Sequence, residues 1–338
     1  MREIGSEFWN VPTIEYDNGV FHNSPQWFLS GRSALQSIIK ELIDCKSVCL
    51  PSWCCDSMIK PFIDAGMNVS FYPVYWNNKL IQELDTGSDV ILLMDYFGYS
   101  SSVRVPDSFN GIVIRDVTHS LFTNSYDDAD YYFGSLRKWS GIWTGGFAWT
   151  HDGHPLSVSN LSSRDYIELR EKAMHEKAKY IADTDIYANN HGKRFLNLFS
   201  EAEALLDDVG IEAAVERDIN MAVHLDTETM KSNRRSNATI LMEAFKDWLL
   251  FPELKDGNCP MFVPILVPER KRNELRQYLI ENEIYCPVHW PLSSYHVLED
   301  RERFIYDNEL SLVCDQRYDK NDMARIVEAI NDFWKDVK

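Results

Sequence analysis

Ile112-Val113-Ile114-Arg115-Asp116-Val117-Thr118-His119, followed by Gly134-Ser135-Leu136-Arg137-Lys138-Trp139 and then Gly145-Gly146, is the stretch of this 338-residue chain that decides its fold. An apolar run that closes on an acid reads as a buried strand with a carboxylate at its tip. His119 follows that acid by three residues, and Lys138, preceded at the same interval by Ser135, comes about twenty residues later. Pairs of Asp and Lys at this separation are common in any long chain, so the context carries the weight. An acid, a hydroxyl and a lysine in this order suit pyridoxal phosphate. Its ring nitrogen needs a carboxylate to stay protonated, its aldehyde takes up a lysine amine, and its phosphate needs hydroxyl and backbone donors. Asp116, Lys138 and Ser135 supply one of each.

A chain of this length with 45% hydrophobic residues can bury a large core as one large domain or two. Lys and Arg number 34 against 52 Asp and Glu, a formal charge of −18 that opposes nonspecific attraction to nucleic acid or an anionic membrane surface. Neither is an expected partner. An anionic ligand needs locally gathered cations, for which Arg32, Arg137, Lys138, Arg234 and Arg235 are candidates. The first residues, Met1 to Glu7, hold no apolar core of signal-peptide length, and no window approaches a membrane span of about 20 apolar residues. The expectation is a cytoplasmic protein. Seven cysteines without a secretion signal argue for reduced thiols rather than a disulfide framework. Cys49, Cys54 and Cys55 have no second pair or clustered histidines to complete four ligands, so no metal is expected.

Outward from the deciding stretch, helix and strand patterns alternate. Ser30-Gly31-Arg32-Ser33 opens an amphipathic helix with Leu35, Ile38, Ile39 and Leu42 on one face, and Ser47 to Leu50 is a short strand stopped by Pro51. A helix from about Cys55 to Ala65 contains Pro61 and ends at Gly66. Strands are predicted at Asn68 to Val74, Val90 to Met94, Gly111 to Ile114, Asp130 to Phe133 and Gly146 to Thr150. Such interleaving predicts a mostly parallel sheet covered on both faces. From 156 to 249 the sequence turns long, charged and helical, with helices at Arg164 to Ala182 and Glu201 to Asp208. After Pro260 it reads as a small α+β lobe: strand Met261 to Val267, helix Arg270 to Asn282, strands Ile284 to Val288 and Leu310 to Val313, and a last helix from Asp319, whose Asp319 and Asp322 stand at cap and N3 spacing.

Six segments in this order resemble the fold-type I pyridoxal phosphate enzymes, specifically the DegT/DnrJ/EryC1/StrS sugar aminotransferases. Leu29-Ser-Gly-Arg-Ser-Ala-Leu35 resembles the family's Gly-Thr-Ala turn into a helix, whose free N–H groups and positive dipole suit a phosphate, so Gly31, Arg32 and Ser33 are implied as cofactor-binding. Leu50-Pro-Ser-Trp-Cys-Cys55 is similar to the segment that supplies a ring stacking on the cofactor. Gapless counting puts Cys55 at that position, while Trp53 reaches it through a shifted turn; both stay candidates. Asp95-Tyr96-Phe97-Gly98 resembles a strand-end Tyr-Phe-Gly and nominates Tyr96 on the substrate side. Arg115-Asp116-Val117-Thr118-His119 is similar to Glu-Asp-Ala-x-Gln/His, which places Asp116 on the pyridinium and His119 beside the ring oxygen. Gly134-Ser-Leu-Arg-Lys138 through Gly145-Gly146 is the most specific match: Ser135 on the phosphate, Lys138 as covalent anchor and proton shuttle, Arg137 as a solvated charge. Arg234-Arg-Ser-Asn-Ala238, Tyr285-Cys-Pro-Val-His289-Trp-Pro291 and Leu310-Ser-Leu-Val-Cys-Asp315 match the distal half, with His289 on the substrate side.

The resemblance implies an α/β fold of the PLP-dependent transferase type, with a large cofactor-binding domain over 1–240 and a small C-terminal domain over 250–338. It implies a homodimer that moves an amino group from an amino acid such as glutamate to a keto-sugar nucleotide. The family's Asn-Tyr-Arg-Met segment, which reaches the partner subunit, is matched only loosely by Leu196-Asn197-Leu198-Phe199. That departure leaves open the intersubunit contact and the substrate class. Two other readings stand beside the first: another reaction of the same cofactor, of lyase or dehydratase type, and a cofactor-binding protein without turnover. Lys138 argues against the family's sugar dehydratases, which carry histidine there.

Overall fold

In the strands, β-branched and apolar runs are bounded by turn formers. In the computed structural model, which describes residues 3–21, 23–101, 103–123, 128–182 and 193–336, Val90–Met94 is buried along its whole length. That is the pattern of a central parallel strand covered on both faces. It runs parallel to Ile112–Asp116 on one side and Ser47–Pro51 on the other, and Asn68–Tyr72 pairs parallel with Ser47–Pro51. Met94 lies opposite Asp116, so these two strands end level and their following loops leave from one edge.

The chain packs as two compact units. The second of them holds this parallel sheet and comprises Ile4–Ser6, Asp44–Ala129 and Thr227–Lys338; the first comprises Met1–Glu3, Glu7–Ile43 and Asp130–Asp226. The division by role at 1–240 and 250–338 is a separate matter and stays our proposal.

In the first unit, Gly146–Thr150 runs antiparallel between Gln26–Phe28 and Tyr131–Ser135, with Gly146 opposite both Phe28 and Ser135. The helix Gly31–Glu41 covers Tyr131–Ser135 and Gly146–Thr150 with Ala34, Leu35 and Ile38, all fully buried. Its cap is the Ser30 hydroxyl, which accepts the Ser33 N–H at 3.1 Å. A Cβ on Gly146 would lie 2.0 Å from the Ser30 carbonyl oxygen, so only glycine allows the strand to pass this close to the helix start. Arg164–Ala182 packs on Arg194–Leu205 through Ala173, Met174, Tyr180, Phe195 and Phe199. This corrects the helix expected at Glu201 to Asp208, which begins earlier because Phe195 and Phe199, four residues apart, form its apolar face.

In the second unit, Val263–Leu266 pairs antiparallel with Glu309–Leu312, and Ile4–Gly5 pairs parallel with Ile284–Tyr285. The helix Thr227–Ala244 carries Asn237, whose amide donates to the carbonyls of Cys314, Asp315 and Tyr318. On the same helix Arg234 is buried and donates to the Pro260 and Met261 carbonyls and to the Gln316 side chain. It therefore braces the core, which corrects the expectation that it is a cation gathered for an anionic ligand. The last helix, Lys320–Asp336, has the expected capping box: Asp319 N–H donates to Asp322 and Asp322 N–H to Asp319. Among the described residues no helix is long and apolar enough to cross a membrane.

Candidate active site

The sequence-predicted residues fall into two groups, one on each unit. On the first unit, Ser135 ends its strand directly beside the start of the helix Gly31–Glu41; a Cβ on Gly31 would lie 3.4 Å from the Ser135 Cβ. The Ser135 hydroxyl oxygen is buried and has no hydrogen-bond partner among the described residues. An orphaned buried hydroxyl is costly, and native structures keep such groups for a ligand, an ion or a water. Next to it the Gly31 and Arg32 amides open the helix and have no acceptor within it, whereas the Ser33 amide is taken by the Ser30 hydroxyl. Together they form a cradle of donors of the kind a phosphate takes. Ser33 is fully buried, and its hydroxyl lies 3.2 Å from that of Ser30. Arg32 turns away, its guanidinium paired with Asp207 at 2.7 Å and Glu203 at 3.4 Å.

Lys138 lies on the short 3-10 turn Leu136–Lys138 that leaves Ser135. Leu136 and Trp139, both fully buried, anchor this turn, and Leu136 N–H donates to the Gly145 carbonyl at 2.9 Å. Lys138 itself is exposed. Its neighbour Arg137 is not the solvated charge the sequence suggested. The Arg137 guanidinium donates to the Tyr166 hydroxyl and to Glu203, both at 3.0 Å, and the ion pair holds the Glu203 carboxyl down at about 2.

On the second unit, three loops from the C-terminal ends of adjacent parallel strands carry the other group, the edge where open α/β sheets bind ligands. Asp116, at the tip of Ile112–Asp116, is buried and accepts the Thr118 N–H at 2.8 Å. His119 is fully buried, its Nδ1 3.4 Å from the donating Phe97 N–H and its ring stacked on Trp290 with centroids 5.7 Å apart. Trp53 is fully buried, stacked on Tyr96 at 4.7 Å, and donates its indole N–H to the His289 carbonyl at 2.7 Å. Tyr96 donates in turn to the Trp53 carbonyl at 2.8 Å. Trp53 thus builds the wall of this region, whereas Cys55 caps the helix Asp56–Asp64 and is half-buried, its Sγ 2.9 Å from Ser57 Oγ. Gly98 closes the turn after Tyr96 with φ +78°, where a Cβ would meet the Cys259 carbonyl at 1.8 Å.

Two features escaped the sequence reading. Arg115 points to the opposite face from Asp116, as alternate strand residues do, and pairs in the interior with Asp95 at 3.0 Å and Asp128 at 2.6 Å. Burial still pushes the Asp95 carboxyl up despite that partner. The other is Glu309, fully buried, which accepts the His289 backbone N–H at 2.8 Å and the Ser311 hydroxyl at 2.5 Å. Ser311 Oγ lies 2.8 Å from His289 Nδ1, and the His289 and His119 ring centroids are 5.8 Å apart. An acid directly before an apolar strand carries no sequence signal of burial.

The fold is that of the fold-type I sugar aminotransferases. PseC of Helicobacter pylori, an aminotransferase involved in the biosynthesis of pseudoaminic acid, matches 98% of this chain and 100% of its own, with a TM-score of 0.60 at 15% identity. A DegT DnrJ EryC1 StrS aminotransferase from Brucella abortus matches over 91% of this chain and 85% of its own, with a TM-score of 0.59 at 17% identity. DesI, solved in the presence of its TDP-sugar product, matches over 90% and 79%, with a TM-score of 0.61 at 13% identity. No family model and no curated protein matches the sequence.

Proposed function

We propose that the chain is a pyridoxal phosphate-dependent aminotransferase of the DegT/DnrJ/EryC1/StrS type, acting on a keto-sugar nucleotide with an amino acid as donor. The observation that carries this reading is the buried Ser135 hydroxyl, without a partner among the described residues, beside the start of the helix Gly31–Glu41 and three residues before Lys138. When bound, the cofactor supplies an electron sink that stabilises negative charge on the substrate carbon. The protein's own residues do the rest. Lys138 Nζ would hold the cofactor covalently and, once the substrate amine displaces it, would be the free base that moves a proton at the substrate carbon. Asp116 holds the proton on the ring nitrogen, because a carboxylate beside a pyridinium favours its charged form. By the resemblance His119 would lie beside the cofactor ring, with Trp53 or Cys55 as the stacking residue, and Tyr96 and His289 would serve the substrate. The sugar nucleotide is supported by the likeness to DesI, solved in the presence of its TDP-sugar product. The active unit is a homodimer, as the resemblance implies.

The test is the first half-reaction. Purified holoprotein mixed with a panel of amino acids should convert its bound cofactor to pyridoxamine phosphate with at least one donor, read as loss of the visible absorption band. Retention of the aldehyde form with every donor would overturn the assignment as a transaminase.

A further inference from the structure

The chain Glu309–Ser311–His289 is a hydrogen-bonded relay with a single hydroxyl at its centre. Ser311 has one proton to give. Its oxygen lies 2.5 Å from Glu309 Oε1 and 2.8 Å from His289 Nδ1, while Glu309 Oε2 already accepts the His289 backbone N–H. All three side chains are buried, so neither end readily exchanges its bond for one to water. This is not a nucleophilic triad, because the hydroxyl lies between the acid and the imidazole rather than beyond the imidazole.

We propose that Ser311 transmits the protonation state of Glu309 to the tautomer of His289, which makes Glu309 and Ser311 positioning residues for that histidine. With the carboxyl neutral, Oε1–H donates to Ser311, Ser311 donates to Nδ1, and the imidazole proton sits on Nε2. With the carboxylate ionised, Ser311 turns to donate to it, accepts from Nδ1–H, and Nε2 becomes an acceptor. The far nitrogen of His289 thus changes from donor to acceptor while the ring stays neutral. Burial pushes the Glu309 carboxyl up to about 8, so the donor form holds at neutral pH. The charged and titratable groups around the relay are Arg272, whose guanidinium donates to the Glu309 carbonyl at 2.9 Å, with Asp307, Arg276 and the Cys286 thiol beyond it and His119 on the imidazole side. Burial and the Glu309 charge hold that thiol up at about 12, so it does not titrate with the relay.

The test is nitrogen-15 and carbon-13 NMR of histidine-labelled protein from pH 6 to 10, with His289 assigned through His289→Gln. The wild type should carry Nε2–H at pH 6 and change to Nδ1–H around pH 8. Glu309→Gln, whose amide donates to Ser311 as the neutral acid does, should lose the change and keep Nε2–H throughout. Ser311→Ala should uncouple His289 from Glu309 and lose the change as well, with near-ultraviolet circular dichroism reporting that both variants fold. A wild-type tautomer constant across the range, or a change that persists in Glu309→Gln, overturns the proposal. This readout needs no turnover, so its failure is separate from failure of the aminotransferase reading. Resting on that reading, the alkaline limb of kcat near pH 8 should vanish in Glu309→Gln.

Discussion

Ser135→Ala should act in opposite directions on the empty and the cofactor-bound protein. In the apoprotein the Ser135 hydroxyl is a buried polar group without a partner among the described residues, a cost of roughly 1–3 kcal/mol. Alanine removes that cost and leaves a gap of one oxygen atom, so the apoprotein should gain on the order of 1 kcal/mol. In the bound protein the same hydroxyl donates to the phosphate, and a hydrogen bond to a charged group contributes about 1.5–3 kcal/mol. Losing it should weaken cofactor affinity roughly ten- to hundredfold. Two assays read the two signs: urea unfolding of the apoprotein, and titration of apoprotein with pyridoxal phosphate followed by absorbance. A structural serine predicts the reverse, an apoprotein that loses stability and an affinity that does not move. That result would refute the phosphate assignment and remove the observation on which the proposed function rests.

Asp116→Asn should keep the cofactor bound but slow proton transfer by a hundredfold or more, since an amide cannot hold the ring proton; wild-type single-turnover rates would make Asp116 structural. Glu309 is raised in the folded chain from 4.5 to about 8, so its contribution to stability is present below its unfolded value and is lost as pH rises toward 8, by at most about 5 kcal/mol. Glu309→Gln should accordingly lose less stability than wild type between pH 5 and pH 9 in urea titrations, and parallel curves would contradict the burial argument. Sedimentation at assay concentration should show a dimer, and a fully active monomer would exclude shared sites.

The strongest parts of the fold were legible because local and tertiary preferences agree. Val90–Met94 and Gly146–Thr150 are apolar, short and bounded by breakers, and both lie where the pattern put them. The hairpin Val74–Trp76 and Leu80–Gln82 was missed, although Asn77-Asn78 marks its turn and Asn78 takes φ 56°. The helix Asp300–Asn308 was missed for another reason. Its charged residues hide the periodicity, although Glu299 and Glu302 form a capping box and Ile305 and Tyr306 are buried. At the candidate site, spacing alone nominated Ser135, Lys138 and Asp116, because cofactor chemistry demands those residue types in that order, and the structure adds the burial of Ser135 and Asp116. Arg32 was legible only as a position: its neighbours Glu203 and Asp207 claim the guanidinium, and no local pattern announces a partner so distant in sequence. Glu309 and Ser311 needed the structure, since their meaning lies in contacts with His289, from which a loop and a helix separate them in the chain.

The central claim is that Lys138 holds the cofactor. Borohydride reduction of the holoprotein, digestion and peptide mapping test it most directly. The account predicts one pyridoxyl group, on the peptide that contains Ser135 and Lys138, attached to Lys138. A pyridoxyl group on any other lysine, or none in cofactor-saturated protein, would contradict it.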